Sequence, residues 1–124
     1  MKQAKPFLQH IMDEINYLLS HSEELTFENF IADETLKRSF VRSFEIIGEA
    51  AKNISKSFKS SHPEIPWKEM AGMRDVLVHQ YFGINYKSVW DIMKNKIPKL
   101  KAQIENLLTK TNGDQIEEVN ETKI

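Results

Sequence analysis

An all-α fold, a four-helix up-and-down bundle, is what this 124-residue sequence predicts. Apolar residues return at spacings of three and four almost throughout. No stretch alternates with period two over the length of a strand. The segments that interrupt the pattern are short, so successive amphipathic helices must pack as neighbours.

The first helix carries Leu8, Ile11, Ile15, Leu18 and Leu19, and His21-Ser22-Glu23-Glu24 breaks it. Thr26 can cap a short turn beyond the break. The clearest stripe follows, Leu36, Phe40, Phe44, Ile47, Ala51, Ile54 and Phe58, with Asp33 and Glu34 at the dipole-favoured start. Gly48 lies inside this helix, where glycine costs about 1 kcal/mol relative to alanine, and a close helix–helix contact is the usual reason to tolerate it. Two prolines, Pro63 and Pro66, mark the next break, and Pro66 suits the first position of a third helix running towards Gln80. Asn85 or Ser88 can start the last helix, whose stripe is Trp90, Met93, Ile97, Leu100, Ile104, Leu107 and Leu108. The stripe keeps its phase through Pro98, so a kink is expected there rather than an end. Residues 1–110 read as one helical domain and residues 111–124, which lack apolar spacing, as a flexible polar tail. Met12, Met70, Met73, Phe82 and Trp90 exceed what so small a core needs, which suggests a homodimer.

Composition excludes several classes. No apolar run approaches the roughly 20 residues needed to span a bilayer, and the N-terminus lacks the apolar core of a signal peptide. Cysteine is absent, which removes disulfides and thiolate metal sites, and a cytoplasmic protein is expected. The net charge of −1 conceals segregation. Residues 1–35 hold two lysines against seven acids, residues 37–59 six bases against two acids, and residues 86–101 five lysines against Asp91. Such blocks either form solvated helix faces or make a local basic surface.

One residue does not fit the apolar pattern. At about 100° per residue on a helix from Pro66, Arg74 shares the face of Trp67, Met70, Leu77 and Val78, with Tyr81 about 20° away. A cation there must find a carboxylate, a ligand or solvent in a cleft. Glu45 and Glu49 of the second helix are available, either as counter-charges or as cleft lining. Asp75 and His79 stand one turn apart on the adjacent flank, where Asp75 can orient the imidazole. Spacing alone also allows a snorkelling arginine and an Asp/His pair that merely decorates the surface. His10, His21 and His62 stand isolated in helix flank or loop and receive no role. No HExxH, CxxC, Walker or GxGxxG pattern suggests a metal or nucleotide cofactor.

At these residues the sequence resembles a known family. Arg74-x-x-x-x-His79-x-Tyr81 matches the RxxxxHxY motif of HepT-like toxins, a branch of the HEPN superfamily. Ser43-Phe44-Glu45-Ile46-Ile47-Gly48-Glu49-Ala50 is similar to that family's EIIGEA helix. His62-Pro63-Glu64-Ile65-Pro66-Trp67, followed by Ala71-Gly72-Met73-Arg74, is similar to its HPEIPW…AGMR segment. The likeness runs in order through residues 5–109 and departs at Asn85, where the family commonly has Asp.

The resemblance implies a homodimer with the two motifs facing one cleft, and RNA cleavage without a metal or cofactor. It gives His79 proton transfer, Arg74 the scissile phosphate and Asp75 the setting of the histidine tautomer. It gives Tyr81 a separate task as acceptor of AMP from a partner nucleotidyltransferase antitoxin of the MNT type, which would silence the toxin. The basic stretches would then track RNA phosphates. A non-catalytic docking and acceptor subunit for such a nucleotidyltransferase is the competing reading, and the Arg74, Asp75 and His79 trio favours the enzyme.

Overall fold

A computed structural model of the chain describes residues 3–77 and 83–113, without the side chains of residue 76 and residues 111–113. All regular structure among the described residues is helical, as the apolar spacing predicts. Helix α1 (Ala4–Ser22) buries Leu8, Ile11, Met12, Ile15 and Leu18, which lie on one face, and packs along two later helices, α3 and α7. It ends before Glu24, whose φ of +59° is left-handed and uncommon for a residue with a side chain.

Helix α2 (Phe27–Ala32) is capped as expected: the Asn29 amide donates to Thr26 Oγ1 at 3.1 Å. Helix α3 (Glu34–Lys52) starts at Asp33, whose Oδ1 accepts from the Leu36 amide at 2.9 Å. Its stripe was expected to continue as helix through Phe58, but α3 stops at Lys52. The chain restarts as α4 (Lys56–Ser61), with Ser55 Oγ accepting from the Phe58 amide at 3.2 Å. Ile54 and Phe58 are buried on both sides of the break, so apolar spacing alone cannot reveal it.

The third helix also differs from expectation. Trp67–Ala71 forms α5, and Gly72–Leu77 tightens into a 3-10 helix rather than continuing as α-helix towards Gln80. The tighter winding turns each residue by about 120°, and Met73 joins Trp67, Met70 and Leu77 in the core.

Helix α6 (Tyr86–Asn95) is capped by Asn85, whose Oδ1 accepts from the Ser88 amide at 3.1 Å. After Lys96 the chain continues as α7 (Ile97–Gly113). The expected kink is therefore a break at Lys96, two residues before Pro98. Proline occupies the first turn of α7, where a missing N–H leaves no gap in the helical hydrogen bonds. Helix α7 continues past residue 110, and most of the expected tail, residues 114–124, lies outside the described residues.

Four rods make the bundle: α1, α3, α5 with its 3-10 extension, and α6 with α7. Helix α3 is central, contacting α1, α5, the 3-10 helix and α6. A buried hydroxyl, Ser43 Oγ, donates to Glu14 Oε1 at 2.7 Å and ties α3 to α1. Trp67 Nε1 donates to the His62 carbonyl at 2.9 Å, and Gln103 Nε2 to the Glu64 carbonyl at 3.2 Å, which fasten the loop before α5. Met12, Met70, Met73 and Trp90 are all buried in this one chain. Phe82, the fifth of the residues from which a homodimer was inferred, lies outside the described residues. Among them, no helix is long and apolar enough to cross a membrane.

Candidate functional site

Two side chains of the motif, Arg74 and Asp75, are placed by the structure; His79 and Tyr81 lie outside the described residues. The expectations for those two, including the Asp75–His79 pair, rest on the sequence.

Arg74 leaves the 3-10 helix and lies across α3. Its stem passes so close to Gly48 that a Cβ there would stand 2.7 Å from Arg74 Cγ and 3.4 Å from the Ala71 carbonyl oxygen. The missing side chain on α3 thus lets the arginine approach, the close contact expected for a glycine in mid-helix. The guanidinium then reaches the next residue of α3: Arg74 Nη1 donates to Glu49 Oε1 at 2.9 Å. The head is neither buried nor free, because 46% of the side chain is exposed. The inward stripe predicted for Arg74 is correct for its stem only. Its charge satisfies the sequence argument by pairing with a carboxylate at the edge of a cleft.

That cleft, about 450 Å³ in volume, runs along the groove between α1 and α3. Helix α3 lines it with Arg42, Glu45, Ile46, Glu49 and Ala50, a stripe with helical spacing that its C-cap residue Asn53 extends. Phe7 and His10 of α1 face that stripe, and Arg74 closes the group. Arg42 Nη1 stands 3.6 Å from Glu45 Oε1, a looser pair than Arg74 with Glu49. Five N–H donors on each guanidinium leave several for an oxyanion after one carboxylate is served. Two arginines, one imidazole and an apolar floor make a surface able to hold a phosphodiester, with Glu49 fixing the Arg74 head.

Asp75 is exposed, its Oδ2 about 4.0 Å from where a Cβ on Gly72 would sit. Sequence reasoning found Arg74, Glu45 and Glu49 but missed His10 and Arg42. His10 lies three residues after Phe7 on the flank of the α1 stripe, a spacing that fits the cleft only once α3 is known to face it.

The basic stretches divide in the structure. Lys37 pairs with Glu34 at 2.9 Å and lies over the Tyr86 ring. Lys87 pairs with Asp91 at 3.2 Å, and Lys94 lies over Trp90. Arg42 alone of residues 37–59 shares the cleft of Arg74 as a base. A larger cleft, about 760 Å³, lies on the other side of the 3-10 helix. Its floor includes Met70, Met73, Ile92 and Leu100, and Lys96 stands 3.6 Å from Glu69 at its rim. It contains neither Arg74 nor Asp75, so volume does not mark the site here. Among the described residues, no three His, Cys, Asp or Glu side chains form a group able to hold a metal ion.

Comparison with known proteins agrees with the family resemblance. The family model described as "Ribonuclease HepT-like" matches residues 11–107. A "Putative RNase" of Caldanaerobacter subterraneus subsp. tengcongensis is 47% identical over 110 residues, covering 89% of this chain and 98% of the relative. A "Probable ribonuclease HepT" of Thermococcus cleftensis is 45% identical over 86% of this chain and 98% of its own length. A "Putative RNase" of Methanocaldococcus jannaschii is 38% identical over 91% of this chain and 93% of its own. No solved structure gives a significant match. The chain belongs to the HepT-like ribonuclease family.

Proposed function

We propose that this protein is a cytoplasmic, metal-independent endoribonuclease toxin, restrained by a nucleotidyltransferase partner as in type VII toxin–antitoxin pairs. The observation that carries this reading is Arg74, held at the cleft by Gly48 and Glu49 in a chain of the HepT-like ribonuclease family. Arg74 binds the scissile phosphate and offsets the charge that grows on its oxygens as the ribose 2′-oxygen attacks. A histidine base takes the 2′-hydroxyl proton while the bond from phosphorus to the 5′-oxygen breaks. A histidine acid then protonates that oxygen, leaving a 2′,3′-cyclic phosphate and a 5′-hydroxyl. One His79 cannot be both base and acid in a single step, so a homodimer supplies two across a shared cleft. Asp75 holds the imidazole tautomer.

Tyr81 is the control point. A nucleotidyltransferase transfers AMP from ATP to its phenol, which loses its proton as pyrophosphate leaves, and the added charge and bulk beside Arg74 and His79 exclude RNA.

The test incubates purified protein with single-stranded RNA in excess chelator and analyses the ends. Cleavage leaving cyclic phosphates is expected; a strict requirement for added divalent metal overturns the metal-independent mechanism. For control, an intact mass is taken after incubation with ATP, magnesium and the nucleotidyltransferase. Mass gains in multiples of AMP that vanish in Tyr81→Phe are expected, and gains unchanged in that variant remove Tyr81 as the site.

A further inference from the structure

We infer that His10 and Arg42 form a second phosphate subsite beside Arg74, so that the α1–α3 cleft holds two neighbouring phosphates of one RNA strand. The inference rests on the proposed action on RNA and assigns the part of the cleft that the motif leaves unused.

The Arg42 head lies beside Glu45 and the Arg74 head is bound to Glu49, and these two acids stand four residues apart on α3, about one helical turn or ~6 Å along its axis. Because Arg74 is bound to Glu49, the two guanidinium groups stand at separate stations of one cleft rather than at one point. His10 enters from the opposite wall, on α1, and faces the same space. Flexible phosphodiester chains present successive anions at this scale, and planar guanidinium forks are suited to grip them. Arg42 is the more available of the two arginines: its side chain is 72% exposed and its contact with Glu45 is 3.6 Å. A phosphate arriving there needs only to displace a loose, solvent-screened pair. Phe7 and Ile46 beside it offer apolar surface against which a sugar or base edge can rest.

Glu45 makes the assignment testable in both directions, since it competes with phosphate for Arg42. Removing its charge should tighten RNA binding while removing Arg42 weakens it. A cluster serving only bundle stability predicts no such opposition.

The experiment measures fluorescence anisotropy of a labelled, uncleavable 2′-O-methyl hexaribonucleotide with the full-length protein. Arg42→Gln is expected to weaken binding about tenfold and to lower the salt slope by about 0.7, the loss of one single-strand phosphate contact. His10→Gln should weaken binding about threefold, and Glu45→Gln should strengthen it about threefold. Arg38→Gln is the control, because Arg38 lies on α3 outside the cleft and pairs with Glu34. Replacing single phosphates by neutral methylphosphonates should locate one position at which Arg42→Gln has no further effect.

Binding unchanged in both Arg42→Gln and His10→Gln overturns the subsite. So does an equal loss in Arg38→Gln, which would make the effect general electrostatics. These results are independent of cleavage. A protein that binds in this pattern yet leaves RNA intact keeps the subsite and refutes the nuclease reading, while cleavage with the variants binding normally does the reverse.

Discussion

Helix α3 and the segment that crosses it, residues 67–77, show two ways of holding charged groups in a cleft. Helix α3 is long, capped at Asp33 and regular, and it carries Arg42, Glu45 and Glu49 at repeating intervals. Residues 67–77 are short and irregular: one turn of α-helix, then a 3-10 helix that delivers Arg74. Arg42 is placed by its own helix and stays loosely paired. Arg74 is placed by a neighbour, through the gap at Gly48 and the hydrogen bond to Glu49. The regular element acts as a template, and the irregular one is shaped to it. An arginine set by contacts from two elements is better preorganised than one set by helical spacing alone, which suits it to transition-state charge.

Removing the crossing side chain should have the largest effect. Arg74→Ala is expected to lower kcat/KM for RNA cleavage about 100-fold or more, with thermal unfolding nearly unchanged because the Glu49 pair is half exposed. Enzyme kinetics beside a melting curve check both parts.

Filling the gap should separate position from stability. In Gly48→Ala the helix gains up to about 1 kcal/mol of propensity, while the new methyl group pushes Arg74 from its track. The two effects oppose each other in folding and not in catalysis. Cleavage should fall about 10- to 100-fold with little change in melting temperature. Full activity would mean that the close contact at Gly48 does not set the arginine.

Glu49→Gln tests the hydrogen bond more gently, because the amide keeps an acceptor and loses the charge. A several-fold fall in kcat/KM is expected, with stability changed by less than about 1 kcal/mol. A loss as large as that of Arg74→Ala would require Glu49 to do more than hold the guanidinium.

The smallest effect should come from the start of α3, far from the crossing. Glu34 is exposed, and its carboxyl is held below the ordinary carboxylate range, first by a hydrogen bond from Lys37 and then by that lysine's charge. A carboxyl depressed in the folded state contributes stability above its unfolded pKa and loses it as pH falls through the folded value. Glu34→Gln should therefore lower stability slightly at neutral pH, leave it nearly unaffected at pH below the folded value, and so flatten the acid side of the stability–pH profile, as melting temperatures across that range would show.

The template was more legible in the sequence than the segment shaped to it. Caps at Thr26, Asp33 and Asn85 act within a few residues, so local composition reveals them. The apolar stripes of α1, α6 and α7 reveal their buried faces for the same reason. Spacing could not reveal the break at residues 53–55, since Ile54 and Phe58 remain in the core on either side. Nor could it distinguish α-helix from 3-10 helix after Ala71, because the two differ in hydrogen-bond closure more than in composition. The misfit of Arg74 was visible, as were Glu45 and Glu49 as possible counter-charges and Gly48 as a point of close helix approach, but not that Arg74 is what approaches Gly48. The contribution of His10 depends on α1 and α3 lying side by side, a relation between elements that no single stretch encodes.

Those contacts matter functionally only if the chain cuts RNA by proton transfer at the motif histidine. Cleavage rates of parent and His79→Ala on one single-stranded RNA in excess chelator test this most directly. A loss of about 100- to 10,000-fold in the variant is predicted. Cleavage by His79→Ala at the parental rate would contradict it.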